Sequence, residues 1–181
     1  PTWLPRYEFP TTTRIDQDWQ LARKPNELLL LEGIHALNPE VITIPEEMTV
    51  RIYVSVRTRV TNGETVLHPS RLRLMRRMLR DRNFRHRSVA ETLSMFEHVQ
   101  AGEHKYIAPY KKRALFSVDT FLPYELGIYK TLLDGELEAE MQHPLLRELR
   151  QMWDDVEPLL LEQVPVDSLV REFAGDSAFH Y

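Results

Sequence analysis

The stretch RLRLMRRMLRDRNFRHR, residues 71 to 87, carries Arg71, Arg73, Arg76, Arg77, Arg80, Arg82, Arg85 and Arg87 against a single acid, Asp81. A guanidinium stays charged at any working pH and presents a planar fork of donors that matches phosphate. Phosphoryl transfer needs such a group most, because charge spreads over the oxygens of the transferred phosphate and must be neutralised in place. A closing segment that carried these arginines over the phosphates would also exclude water as a competing acceptor. A nucleic-acid backbone is the rival ligand. Phe84 is the only aromatic residue in the block and the chain's net charge is −4, so no nucleic-acid partner is expected. A solvated helix face accounts for Arg71, Arg73, Arg76 and Arg82 without any ligand.

A second candidate lies in ELLLLEGI, residues 27 to 34. An apolar strand that delivers a carboxylate at its C-terminal end is where nucleotide-binding α/β folds hold Mg2+, in the crevice outside the strand ends. Glu32 is therefore the candidate metal ligand, and His35 just beyond it is read as structural. His68, His98, His104 and His143 show no metal-ligand spacing, and the absence of cysteine excludes disulfides and thiolate sites.

These residues need elements to position them. Residues 1–26, rich in Pro and Thr, read as a loop or irregular hairpin. The four-leucine run suits a strand buried on both faces of a parallel sheet. MTVRIYVSVRT (48–58) is β-branched and aromatic and reads as a second strand, with a short helical turn near Pro39 between the two. Asn62-Gly63 marks a turn. Pro69-Ser70 opens a helix to about Asp81. On it Leu72, Leu74, Met75, Met78 and Leu79 share an apolar face, and Arg73, Arg76, Arg77 and Arg80 share another about 100° wide. DRNFRHRS then breaks the pattern and places Arg85 and Arg87 on a non-helical turn. Ser88, with Glu91 three residues on, is an N-cap with a capping box. A third strand is expected near residues 115–118, then helices around 124–133 and 143–164 and an apolar end that docks on the body. Trp3, Trp19 and Trp153 read as core or edge packing. Strands alternating with helices give an α/β layered domain.

The chain has 181 residues, enough for one domain with a sizeable core. Charge is uneven: residues 134–181 hold twelve acids against three bases, and the first 133 hold 20 bases and 15 acids. A basic front places an anionic ligand there. No run of eighteen apolar residues occurs, so no membrane span is expected. The start shows no secretory leader, and the cytoplasm is the expected location. The opening PTWLPRYEFPTTTR, without an initiator Met, reads like the middle of a longer protein.

YEFPTTTR, LLLLEGIHALNPE, VRIYVSVRT, RLMRRMLRDRNFRHRS and KYIAPYKKRA, in this order and spacing, resemble the uridine kinase and phosphoribulokinase family of P-loop kinases. Within it the chain is most similar to a bacterial nucleoside-kinase-like branch whose ends look like DSLVREFAGDSAF. The resemblance implies a parallel-sheet P-loop kinase domain of α/β class with an Arg-rich helical lid, its N-terminal strands and P-loop missing. It divides the chain into an acceptor-site loop (1–26), a sheet core with lid (27–133) and a helical C-terminal extension (134–181). It implies ATP-dependent phosphorylation of a nucleoside-like hydroxyl, with Mg2+, and a homo-oligomer is compatible with it. By the same resemblance Glu32 helps to hold Mg2+, and Tyr7, Thr12 and Arg14 lie at the nucleoside. Arg77 and Arg87 lie near the acceptor, Arg80 and Arg85 clamp the transferred phosphates, and Pro109 to Lys111 lie close to the adenine.

Three departures qualify it. Thr12 and Met95 stand where pyrimidine kinases of the family have a base-reading His and Gln, and His86 replaces the Gly of an Arg-Gly-Arg turn. No G-x-x-x-x-G-K-[ST] occurs in the 181 residues, the loop whose amides and Lys cradle a triphosphate. The family's catalytic Asp also falls outside them. The chain alone is expected to be inactive, and a non-catalytic phosphate- or nucleotide-binding module is the alternative.

Overall fold

The computed structural model describes residues 1–8, 11 and 13–179, which form two compact units, 1–36 and 37–181. The first holds an antiparallel hairpin of β1 (Thr2–Glu8) and β2 (Thr13–Leu21). Its register runs from Thr2 opposite Leu21 to Glu8 opposite Thr13, with an irregularity between Leu4 and Arg6. The expected irregular hairpin is thus formed, but Trp3 and Trp19 are about half exposed rather than packed away.

Residues 27–34 do not form the expected buried strand. Leu28 is 97% and Leu30 92% exposed, and no strand among the described residues pairs with this run. An apolar strand is held in a sheet by hydrogen-bonded neighbours and by layers over both faces. The composition is that of a buried strand, and the neighbours are not among the described residues.

The second unit is built on helices. A parallel pair, β3 (Ile52–Ser55) and β6 (Phe116–Asp119), aligns Ile52 with Phe116 and Val54 with Val118. The short hairpin β4 (Val60–Asn62) and β5 (Thr65–Leu67) turns at Gly63, whose φ of 56° suits a residue without a side chain. The turn signal at Asn62-Gly63 is thus realised as a hairpin. The helical turn expected near Pro39 is a hydrogen-bonded turn in which the Val41 and Ile42 amides donate to the Asn38 carbonyl.

α1 (Pro69–Arg85) starts at His68, whose imidazole Nδ1 accepts from the Ser70 amide at 3.2 Å. Its five expected apolar residues are at most 1% exposed and form the centre of the core. α2 (Val89–Tyr106) starts with the capping box at Ser88 and Glu91. α3 (Glu125–Glu140) follows β6. The helix expected over 143–164 is reduced to α4 (Arg147–Met152), flanked by 3-10 turns. α5 (Leu169–Ala174) docks Val170 and Phe173 into the core. The chain is therefore a mixed α/β protein with one parallel strand pair among its described residues.

The arginine face of α1 differs from the sequence reading. Arg76 does not point outward with Arg73, Arg77 and Arg80; it is 7% exposed. Its Nε and Nη2 form a fork on Glu125 of α3 at 2.8 and 3.1 Å, and it also donates to Thr120. The Tyr129 hydroxyl donates to the same carboxylate at 2.7 Å, and burial pushes that phenol well above its ordinary pKa. Arg71, Arg73 and Arg82 are not freely solvated either. They pair with Glu148 of α4, Glu103 of α2 and Glu136 of α3. Four of the eight arginines thus bind α1 to its neighbours.

Candidate functional site

The four arginines left over are Arg77, Arg80, Arg85 and Arg87, the set that the resemblance implies for phosphate and acceptor. Their geometry begins at Asp81, which has no exposed surface. It lies one turn after Arg77 and one turn before Arg85, so both guanidiniums reach it along the same helix face. Arg85 Nη1 donates to Oδ1 at 2.8 Å, and Arg77 Nε lies 3.4 Å from Oδ2, an ion pair rather than an aligned hydrogen bond. The Thr92 hydroxyl of α2 approaches the same Oδ2 at 3.4 Å.

The helix runs on to Arg85, one turn past its expected end, so Arg85 belongs to the last helical turn. It stops at His86, which is left-handed at φ 54°, ψ 38°. The amides of His86 and Arg87 both donate to the Asp81 carbonyl. Such a wrap closes many helices and favours glycine, and in this chain His86 takes that position.

Arg80 completes the group. Burial, then the like charges of Arg85 and Arg77, push its guanidinium below its ordinary value, with Asp81 and Glu172 opposing. Its Nε, like those of Arg77 and Arg73, is buried and has no hydrogen-bond partner among the described residues. Of the two carboxylates that act on it, Asp81 is already engaged by Arg77 and Arg85. Positive charge is therefore held in place here in excess of the local negative charge. An anion with several oxygens is the ligand that such a group accepts.

The other expected site residues lie elsewhere in the chain. Tyr7 and Arg14 are cross-strand partners in the hairpin unit, with Arg14 Nε 2.7 Å from Asp16. Thr12 lies outside the described residues. Glu32 is exposed, in the segment that follows the hairpin. Pro109 and Lys111 sit in a 3-10 turn, Ala108–Arg113, that leads into β6. There the Lys111 ammonium lies 5.0 Å from the centre of the Tyr53 ring on β3. The turn is fixed by Arg113, which donates to the Leu37 carbonyl and to Glu46.

Among the described residues no cluster of three metal-ligating side chains occurs. Glu32 alone still fits the way Mg2+ is commonly bound, by one carboxylate together with phosphate oxygens and waters. The orphaned Arg80 Nε and the unbalanced guanidiniums fit the phosphates of a nucleotide.

Residues 2–121 match the sequence profile of the "Phosphoribulokinase / Uridine kinase family". The chain belongs to this family. Among curated proteins it is similar to uridine kinases of Staphylococcus haemolyticus (30% identity over 132 residues), Staphylococcus carnosus (30% over 135) and Staphylococcus aureus strain JH9 (31% over 132). These alignments cover 72%, 74% and 72% of this chain and 54%, 55% and 54% of the relatives. The chain thus spans about half the length of the curated relatives it matches. No solved structure matches it significantly.

Proposed function

We propose that this chain supplies the phosphate-neutralising and acceptor-side part of an ATP-dependent kinase that phosphorylates a nucleoside-like hydroxyl. The observation that carries the reading is the Arg77–Arg80–Arg85 group at the end of α1, where the buried Asp81 pairs with Arg77 and Arg85 and the half-buried Arg80 lies within the field of both. When bound, ATP supplies the phosphoryl group, and Mg2+ offsets its charge.

In this reading the group acts as a lid. Arg80 and Arg85 neutralise the oxygens of the phosphate in transfer, and Arg77 and Arg87 hold the acceptor side. Glu32 takes a place beside the metal. Tyr7, Thr12 and Arg14 of the hairpin unit contact the nucleoside, and Pro109 and Lys111 border the adenine. Charge stabilisation and exclusion of water are the contributions asked of these residues.

The test is transfer of the γ-phosphate of radiolabelled ATP to a panel of nucleosides by the whole protein. Arg80→Ala is expected to lower kcat by about 10³-fold, the scale of a lost arginine clamp. An unchanged kcat overturns the assignment of Arg80. A second reading, a phosphate- or nucleotide-binding module without turnover, is favoured by Thr12, Met95 and His86. Transfer to any nucleoside of the panel rules it out.

A further inference from the structure

We infer that Asp81 is the positioning residue of the arginine group, the side chain that sets where Arg77 and Arg85 present their donors. This rests on the proposed phosphate-binding role of that group and adds to it the residue through which the group is organised.

Asp81 is the one acid in a block of eight arginines and has no exposed surface. Its two carboxylate oxygens are divided between two arginines, Oδ1 to Arg85 Nη1 and Oδ2 to Arg77 Nε. Each interaction uses one edge of a guanidinium, so Arg77 keeps both Nη groups and Arg85 keeps Nη2 and Nε for another acceptor. The Asp81 carbonyl accepts the His86 and Arg87 amides, which fixes the turn from which Arg87 departs. Two of the four arginines are therefore held by the Asp81 side chain, and the backbone turn that leads to Arg87 closes on its carbonyl. A long arginine side chain loses rotamer entropy when it binds, and holding it beforehand removes that cost from the binding step.

The two roles open to a buried carboxylate differ in the sign of one effect. If Asp81 only offsets charge, Asp81→Asn makes the site more positive and strengthens anion binding. If Asp81 positions the arginines, the same change weakens binding despite the added positive charge. The experiment is calorimetric titration of the 181-residue chain with inorganic tripolyphosphate at low ionic strength, with folding of each variant checked by circular dichroism. Asp81→Asn is expected to lower affinity about tenfold, the scale of removing a single charge-assisted hydrogen bond. In a chain already carrying Arg77→Ala and Arg85→Ala it is expected to cost nothing further, since it acts through those residues.

Arg85→Lys, on a side chain that is partly exposed, preserves charge and is expected to lose affinity as Arg85→Ala does, because an ammonium cannot hold Asp81 and present a fork together. Wild-type chain that does not bind tripolyphosphate overturns the phosphate-site reading and this inference with it. Wild-type binding with equal or tighter binding by Asp81→Asn overturns the inference alone. An additive loss in the triple variant, or full affinity in Arg85→Lys, also overturns it.

Discussion

At the scale of single residues, the same side-chain type does two opposite jobs on one helix. Arg76 is buried with all three of its guanidinium nitrogens donating to Glu125 or Thr120, and the guanidinium lies over the Phe173 ring at 5.3 Å. Removing one partner of a buried pair leaves the other charge stranded, so Arg76→Met is expected to lower unfolding stability by about 3–5 kcal/mol. Urea denaturation checks this; a loss under about 1 kcal/mol would show that Arg76 is not a structural pin. His68 gives a pH signature. Burial first, then Arg59, Arg71 and Arg73, lower its pKa below the ordinary 6.5, with Glu148 opposing. The folded state therefore binds fewer protons than the unfolded state. Stability is complete above 6.5 and falls as pH drops through the folded value, when the Nδ1 that caps α1 becomes a donor. His68→Asn retains a cap that does not titrate, and its stability is expected to be flatter over that range. An unaltered pH profile would rule out His68 as the source. The sequence showed which arginines to suspect and not which were already in use. Glu103, Glu125, Glu136 and Glu148 lie 30 or more residues from their partners, and only the fold brings them together. The spacing of Arg77, Asp81 and Arg85, four residues apart, was legible, and the burial that makes Asp81 a hub was not.

At the scale of elements, local chemistry decided the outcome wherever the signal was local. The capping box at Ser88, the turn at Gly63, the apolar face of α1 and the strand at β6 each follow from residues within a few positions. The end of α1 shows the limit. DRNFRHRS breaks the apolar period, yet the helix continues to Arg85 because Asn83 donates to the Phe173 and Ala174 carbonyls of α5 and Arg82 to the Leu132 carbonyl of α3. His86 then takes a left-handed conformation that costs an L-residue free energy. His86→Gly is expected to raise unfolding stability by roughly 0.5–1 kcal/mol, after the entropy glycine adds to the unfolded chain. Thermal unfolding measures it, and a lower Tm would mean that the imidazole makes a compensating interaction.

At the scale of the whole molecule, apolar surface is distributed in an unusual way. The core around α1 is closed, and Leu72→Ala there is expected to cost about 2–5 kcal/mol. In contrast, the parallel pair β3–β6 leaves Ile52, Val54, Phe116 and Val118 exposed on one face, Phe116 at 61%. The leucines of 28–31 are exposed as well. Parallel strands are normally covered on both faces, so sequence reasoning places these residues in a sheet interior that the described residues do not complete. Phe116→Ser is expected to change unfolding stability by no more than about 0.5 kcal/mol, because the side chain is already in water. It is also expected to reduce binding of an apolar dye; a large loss of stability would show that this face is covered.

The central claim is that Arg77, Arg80 and Arg85 form one phosphate-binding group while Arg76 serves the fold. The most direct measurement is NMR of the arginine Nε–H signals of the 181-residue chain during titration with inorganic tripolyphosphate. The account predicts that the Arg77, Arg80 and Arg85 signals move together and saturate, while that of Arg76 stays in place. Signals of those three that do not move, or that move no more than those of Arg14 and Arg147 elsewhere in the chain, would contradict it.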